Sequence, residues 1–75
     1  MKTKYKLGEK VKVNSSNDNE NYNDFREKVL IITEIATDIQ QHKGYDESVK
    51  EALYSFKDEK GNDIPYSLYE YELEV

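Results

Sequence analysis

A single histidine, His42, and the complete absence of cysteine narrow what chemistry this 75-residue chain can carry. Without cysteine there is no thiolate nucleophile and no metal–sulfur site. His42 lies in a polar stretch, where a lone histidine reads as a bystander rather than a base or a ligand. The three glycines stand isolated at positions 8, 44 and 61, so no glycine-rich run cradles a phosphate. Asp18, Glu20 and Asp24 are of the right type for calcium. A calcium loop, however, needs ligands at fixed spacing, a central glycine and a closing glutamate, and no glycine falls between these acids. The sequence therefore predicts no catalytic residue, no metal site and no cofactor, and the chain is expected not to be an enzyme.

Tyrosine is the residue in excess. Seven of them (Tyr5, Tyr22, Tyr45, Tyr54, Tyr66, Tyr69 and Tyr71) are too many for the core of so small a protein. Some must reach the surface, where tyrosine combines an apolar face with a polar tip and is favoured at interfaces. Tyr22, Tyr45, Tyr66 and Tyr69 form the candidate interaction surface, and an unidentified protein is the expected partner. The same rings can instead simply roof a thin core with their hydroxyls in water. A second reading has Tyr22, Tyr45 or Tyr66 stacking on nucleic-acid bases. The net charge of −5 weakens it, because affinity for nucleic acid rests on basic side chains. A third reading makes the chain an acidic imitation of nucleic acid that occupies a basic site on another protein.

The elements that must position these rings are short and sparse. Hydrophobic and charged residues each make up 36% of the chain, enough for one thin core, and residues 1–75 form a single domain. The opening Met-Lys-Thr-Lys-Tyr-Lys has no apolar run behind it, and no window approaches the ~20 apolar residues of a membrane span. A monomeric, cytoplasmic, membrane-free protein is expected. In that setting the sequon-like Asn14-Ser15-Ser16 carries no meaning.

The densest apolar run, residues 27–36, is read as the central strand: Val29, Ile31, Ile32, Thr33 and Ile35 are β-branched and disfavour a helix. Val11 and Val13 alternate with Lys10 and Lys12 in a half-buried first strand, after a turn at Gly8-Glu9. Ala52, Tyr54 and Phe56 share one face of a third strand, and residues 58–63 supply a hairpin with Gly61 at positive φ. Residues 64–66 read as a short edge strand, since Pro65 cannot donate to a ladder. Tyr69, Tyr71, Leu73 and Val75 alternate with three glutamates in the last strand, which a 3₁₀ turn at 67–69 can shorten. Residues 1–3 are expected to fray, and 14–24 and 37–50 to be mobile loops. An α+β alternative keeps helices near 25–43 and 47–60, on the spacing of Phe25, Val29, Ile32, Ala36 and Ile39 and of Val49, Ala52, Leu53 and Phe56.

Five strands with a long first loop and a short turn before the last make an all-β barrel. Leu7-Gly8-Glu9-Lys10-Val11-Lys12-Val13 resembles the opening of small bacterial and phage proteins with an SH3-like barrel, which often begin Val-Gly-Asp-Lys-Val. Ile32-Thr33-Glu34-Ile35 is similar to their second strand. Residues 54–61 and Glu70-Tyr71-Glu72-Leu73-Glu74 resemble their third-strand hairpin and closing segment. The resemblance implies a small five-stranded SH3-like barrel, in proteins commonly carried by prophages and conjugative elements, and it implies no particular activity. Ala52-Leu53-Tyr54-Ser55-Phe56 also looks like the Ala-Leu-Tyr-Asp-Tyr segment of eukaryotic SH3 domains. There it opens the domain and precedes a tryptophan-bearing groove; here it sits late in a chain without tryptophan, so recognition of proline-rich peptides is not carried over. In such barrels the first and last strands are neighbours. That arrangement accounts for the five lysines of residues 1–13 and the six acids of residues 58–75: Lys10 and Lys12 are expected to pair outward with Glu70, Glu72 and Glu74.

Overall fold

The computed structural model describes residues 2–75. Met1, part of the segment expected to fray, lies outside the described residues.

The β-branched run forms a strand. Leu30–Ala36 pairs antiparallel with Lys10–Val13 on one side and Leu53–Lys57 on the other; in chain order these are β1 (Lys10–Val13), β2 (Leu30–Ala36) and β3 (Leu53–Lys57). Two edge strands complete the sheet, β4 (Leu68–Tyr69) and β5 (Leu73–Glu74), in the order β4-β3-β2-β1-β5. The protein is all-β, and the alternative helices near 25–43 and 47–60 are replaced by β2 and β3. The apolar spacing over 25–39 suits a helix with one buried side, whereas β2 buries Leu30 and Ile32 in one cluster and Ala36 in another.

A bulge explains how. Ile32 faces Phe56 and Glu34 faces Ser55, so Thr33 is an extra residue on β2. Leu30 and Ile32 point into the main core before the bulge, and Ile35 packs against that core after it. Ala36 then turns to the opposite side, where it meets Leu53 and Tyr45 in a second small cluster. The main core holds Tyr5, Val11, Val13, Leu30, Ile32, Ala52, Tyr54, Phe56, Leu68 and Leu73. Each fully buried Leu, Ile or Phe contributes about 1.5–3 kcal/mol.

The sheet is strongly curled. Its two edges, β4 and β5, are joined only by a three-residue 3₁₀ helix, Glu70–Glu72. In a flat sheet the outer strands of five would lie roughly 19 Å apart, while the four steps from Tyr69 to Leu73 reach at most about 14 Å. The sheet must therefore wrap the core to bring its edges together. Among the described residues no ladder joins β4 to β5, so the sheet is not closed into a full barrel and only the 3₁₀ turn connects its edges.

Several local expectations are corrected. The 3₁₀ turn falls at Glu70–Glu72 rather than at 67–69, which ends the alternation read over 69–75: Leu73 is buried but Tyr71 and Val75 are 62% and 84% exposed. Residues 64–66 form no strand. A lone bridge, Lys57 with Asp63, follows the 58–62 turn, and β4 begins only at Leu68. That turn is tied by Asp58, whose carboxylate accepts the N–H groups of Lys60 and Asn62, each at 2.9 Å, with Gly61 at φ +87°. Accepting these bonds, the one from the Asn62 backbone foremost, holds the Asp58 carboxyl below its ordinary range.

The loop over 14–24 contains a six-residue 3₁₀ helix, Glu20–Phe25. Asn14, Asn17 and Asn19 each accept a backbone N–H two residues ahead. The Arg26 guanidinium gathers the loop, donating to the carbonyls of Asn17 and Asn19 and to Asn23 Oδ1.

The first and last strands are neighbours, with Lys12 opposite Glu74 and Val13 opposite Leu73. The expected charge pairing between them does not form. Among the described residues the single ion pair is Lys10–Glu59 at 3.8 Å, with both side chains more than half exposed. The C-terminal carboxylates serve as acceptors instead. Glu70 takes the N–H of Lys4 (2.8 Å) and the hydroxyl of Tyr54 (2.7 Å), Glu72 takes the N–H of Tyr69 (3.0 Å), and Glu74 takes the N–H of Ser15 (2.5 Å). Segments outside the ladders leave N–H groups without strand partners, and these carboxylates satisfy them.

Candidate interaction surface

The residues around the Glu70–Glu72 turn bring the candidate tyrosines into two groups. In the first, the ring of Tyr66 is met edge-on by Tyr22, at 5.7 Å between centroids, and by Phe25, at 5.6 Å. The 3₁₀ helix over Glu20–Phe25 supplies both partners, because positions 22 and 25 of a three-residue turn fall on one side. Tyr66 itself remains 41% exposed. In the second group Tyr45 meets Tyr69 edge-on at 5.9 Å, and Tyr69 lies parallel to Tyr71, 6.2 Å away and tilted by only 4°.

The four expected surface tyrosines are thus not equivalent. Tyr45 is buried, at 5% exposure, and its hydroxyl donates to the Glu51 carbonyl at 2.8 Å. It supports Tyr69 from beneath and offers no face to a partner. Tyr69 is half-buried, its hydroxyl accepting the N–H of Asp46 at 2.7 Å. Tyr71 is not among the residues named from the sequence, yet it is 62% exposed because the 3₁₀ turn over Glu70–Glu72 separates it from the alternation that buries Leu73. The clue available was the acidic Glu70-Tyr71-Glu72 triplet, which suits solvent better than a core.

Carboxylates fringe the second group. Glu51 accepts the Tyr71 N–H through one oxygen at 2.9 Å. Glu72 follows Tyr71 directly and also reaches Asn17 Nδ2 at 3.4 Å. The Tyr71 hydroxyl is held above its ordinary range first by the charge of Glu72, then by burial and by Glu51. Glu72 acts on Tyr22 as well, whose hydroxyl is raised chiefly by burial and next by that charge. The Tyr22 and Tyr71 hydroxyls, one from each ring group, therefore both feel the Glu72 carboxylate.

Histidine and serine do meet, but in the wrong sense for catalysis. His42 Nε2 lies 3.1 Å from Ser67 Oγ, which is 2.9 Å from Ser55 Oγ. The other ring nitrogen, Nδ1, accepts the Gly44 N–H at 2.9 Å. The proton of the neutral ring is then on Nε2, donating to Ser67, and that nitrogen has no lone pair with which to take the serine proton. The arrangement ties the 37–50 loop to the sheet. It also explains Gly44, where a Cβ would stand 3.1 Å from the imidazole Cε1.

Asp18, Glu20 and Asp24 are exposed along the first loop, and among the described residues no three His, Asp or Glu side chains converge on one point. An open cleft of about 390 Å³ lies elsewhere, between Glu27–Val29 and the 58–62 turn. Asp58 is committed to that turn and Glu59 to Lys10. Among the described residues no helix is long and apolar enough to cross a membrane. No family model, curated protein or solved structure matches the chain.

Proposed function

We propose that this protein is a non-catalytic interaction module that engages a protein partner through the tyrosine tract beside the Glu70–Glu72 turn. One observation carries the reading: Tyr66 and Tyr71, at 41% and 62% exposure, are the exposed ends of two ordered ring groups that both border Glu72. Rings already held by neighbouring rings lose little freedom on binding, so their area is available at low entropic cost. The acidic fringe of Glu51 and Glu72 favours a protein over a polyanion, which these charges repel. Kinship with the small SH3-like barrels of bacteria, prophages and conjugative elements is part of the proposal. It is supported by the β4-β3-β2-β1-β5 order and by the 3₁₀ turn before β5.

A photo-crosslinking amino acid placed at Tyr66, at Tyr71, and at exposed Lys60 on the 58–62 turn tests the reading in producing cells. A discrete protein adduct from positions 66 and 71 but not 60 is expected. Adducts chiefly to nucleic acid, or the same adducts from all three positions, would overturn it.

A further inference from the structure

We propose that the Tyr69–Tyr71 step, with Glu51 and Glu72 at its margin, receives an arginine side chain from a basic segment of the partner. The inference rests on the interaction-module reading and names the chemistry of its ligand. Tyr71 turns one ring face to Tyr69 and is 62% exposed, which leaves its second face to solvent. The negative face of an aromatic ring attracts a cation, and a planar guanidinium can lie flat on it.

The carboxylates beside that face make the choice of occupant. Glu51 holds the Tyr71 N–H through Oε1, and among the described residues its second oxygen accepts no hydrogen bond. Glu72 uses its oxygens for the Tyr69 N–H and Asn17 Nδ2, neither of which neutralises it. Among the described residues the one ion pair is Lys10–Glu59, so no lysine or arginine of the chain pairs with Glu51, Glu70 or Glu72. A row of rings bordered by uncompensated negative charge complements a cation that is also flat and apolar on its faces. A second copy of this chain would set acid against acid, and a nucleic acid would bring phosphates to the same charges. Arginine fits better than lysine because its fork can engage a carboxylate while its plane covers the ring.

The test is an amide-resolved NMR titration of the full chain with a capped Gly-Arg-Gly-Arg-Gly peptide, its citrulline and lysine counterparts, and a single-stranded DNA dodecamer. The arginine peptide is expected to shift the amides of Glu51, Tyr69, Glu70, Tyr71 and Glu72. The citrulline peptide, with the same shape and no charge, should bind roughly tenfold more weakly, with lysine in between. Glu51→Gln keeps the one oxygen that accepts the Tyr71 N–H and removes the charge, and it should weaken the arginine peptide several-fold; Glu72→Gln also exchanges one of two acceptor oxygens for an amide, so it is read only alongside an otherwise unchanged amide spectrum. Tyr71→Phe should retain binding and Tyr71→Ala should lose it. Equal shifts from the citrulline peptide, larger shifts from DNA, shifts produced by raising protein concentration alone, or no shifts at residues 69–72 would each overturn the inference. A protein adduct at positions 66 and 71 alongside such a result would leave the interaction module standing and remove only its arginine specificity.

Discussion

Tyr54→Phe removes one oxygen atom from the most connected buried group in the protein, and its cost follows from the geometry. Tyr54 is fully buried, and its hydroxyl accepts the Tyr5 N–H at 3.2 Å while donating to Glu70 Oε2 at 2.7 Å. The same Glu70 oxygen holds the Lys4 N–H at 2.8 Å, so the hydroxyl links the N-terminal segment to the turn that connects the two sheet edges. Phenylalanine keeps the ring and its edge-to-face contact with Tyr5 at 5.6 Å. It loses a hydrogen bond to a charged group, about 1.5–3 kcal/mol, and leaves the Tyr5 N–H without its acceptor, about 1–3 kcal/mol more. The two overlap, because water can reach part of the opened site, and about 2–4 kcal/mol is expected. For a domain of this size that lowers Tm by roughly 10–25 °C.

Alkaline pH provides an internal check on the same group. Burial, followed by the bond to Glu70 and its charge, pushes the Tyr54 hydroxyl up to about 12, against 10.0 for a free tyrosine. The folded state thus holds this proton more tightly than the unfolded chain. Its contribution is complete below pH 10 and is lost as pH rises toward 12, by roughly 2–3 kcal/mol. Tyr22, Tyr45 and Tyr71 are raised too and act in the same direction, but they are common to both proteins. Urea unfolding followed by far-ultraviolet circular dichroism between pH 7 and 11.5 should give a shallower alkaline decline for Tyr54→Phe. A loss under about 0.5 kcal/mol at pH 7, or parallel declines in the two proteins, would refute the linking role of this hydroxyl.

Substitutions in three further regions probe other parts of the account. Lys50 adopts a left-handed conformation, φ 60°, immediately before the Glu51 that holds Tyr71. Relief of that strain outweighs the added freedom of the unfolded chain, so Lys50→Gly should raise stability by about 0.5 kcal/mol and Lys50→Val lower it by at least about 1 kcal/mol, read by urea titration. Arg26→Ala removes the guanidinium that gathers Asn17, Asn19 and Asn23, and should speed hydrogen exchange at Tyr22 by about tenfold or more while leaving β2 amides protected. Lys10→Gln with Lys12→Gln should change stability by less than about 0.5 kcal/mol, since the only pair lost is the exposed one to Glu59; a larger loss would restore charge pairing as a determinant of the β1–β5 contact.

The sheet was legible wherever residue type and period agree. The β-branched Val29, Ile31, Ile32, Thr33 and Ile35 marked β2, the buried side of Ala52, Tyr54 and Phe56 marked β3, and the valine–lysine alternation marked β1. Period alone misled at the C-terminus. Tyr69, Tyr71, Leu73 and Val75 alternate as a strand should, but the chain must cross from one sheet edge to the other there, and a 3₁₀ turn makes that crossing. The bulge at Thr33 was equally hidden, because its cause is the registry of β2 against β3 and not the identity of any one residue. At the candidate surface, the tyrosine excess singled out Tyr22, Tyr66 and Tyr69, which the structure leaves half-buried or exposed. The burial of Tyr45 depends on Ala36 and Leu53 meeting across two strands, a long-range packing event that local sequence does not encode.

The claim that the tyrosine tract is the working surface of the molecule is tested most directly by Tyr66→Ser combined with Tyr71→Ser. These are the most exposed tyrosines, so the amide spectrum of the double variant should overlay that of the parent away from the substituted residues. The account predicts that this folded variant no longer retains the protein captured through positions 66 and 71. A folded variant that retains it undiminished would contradict the account.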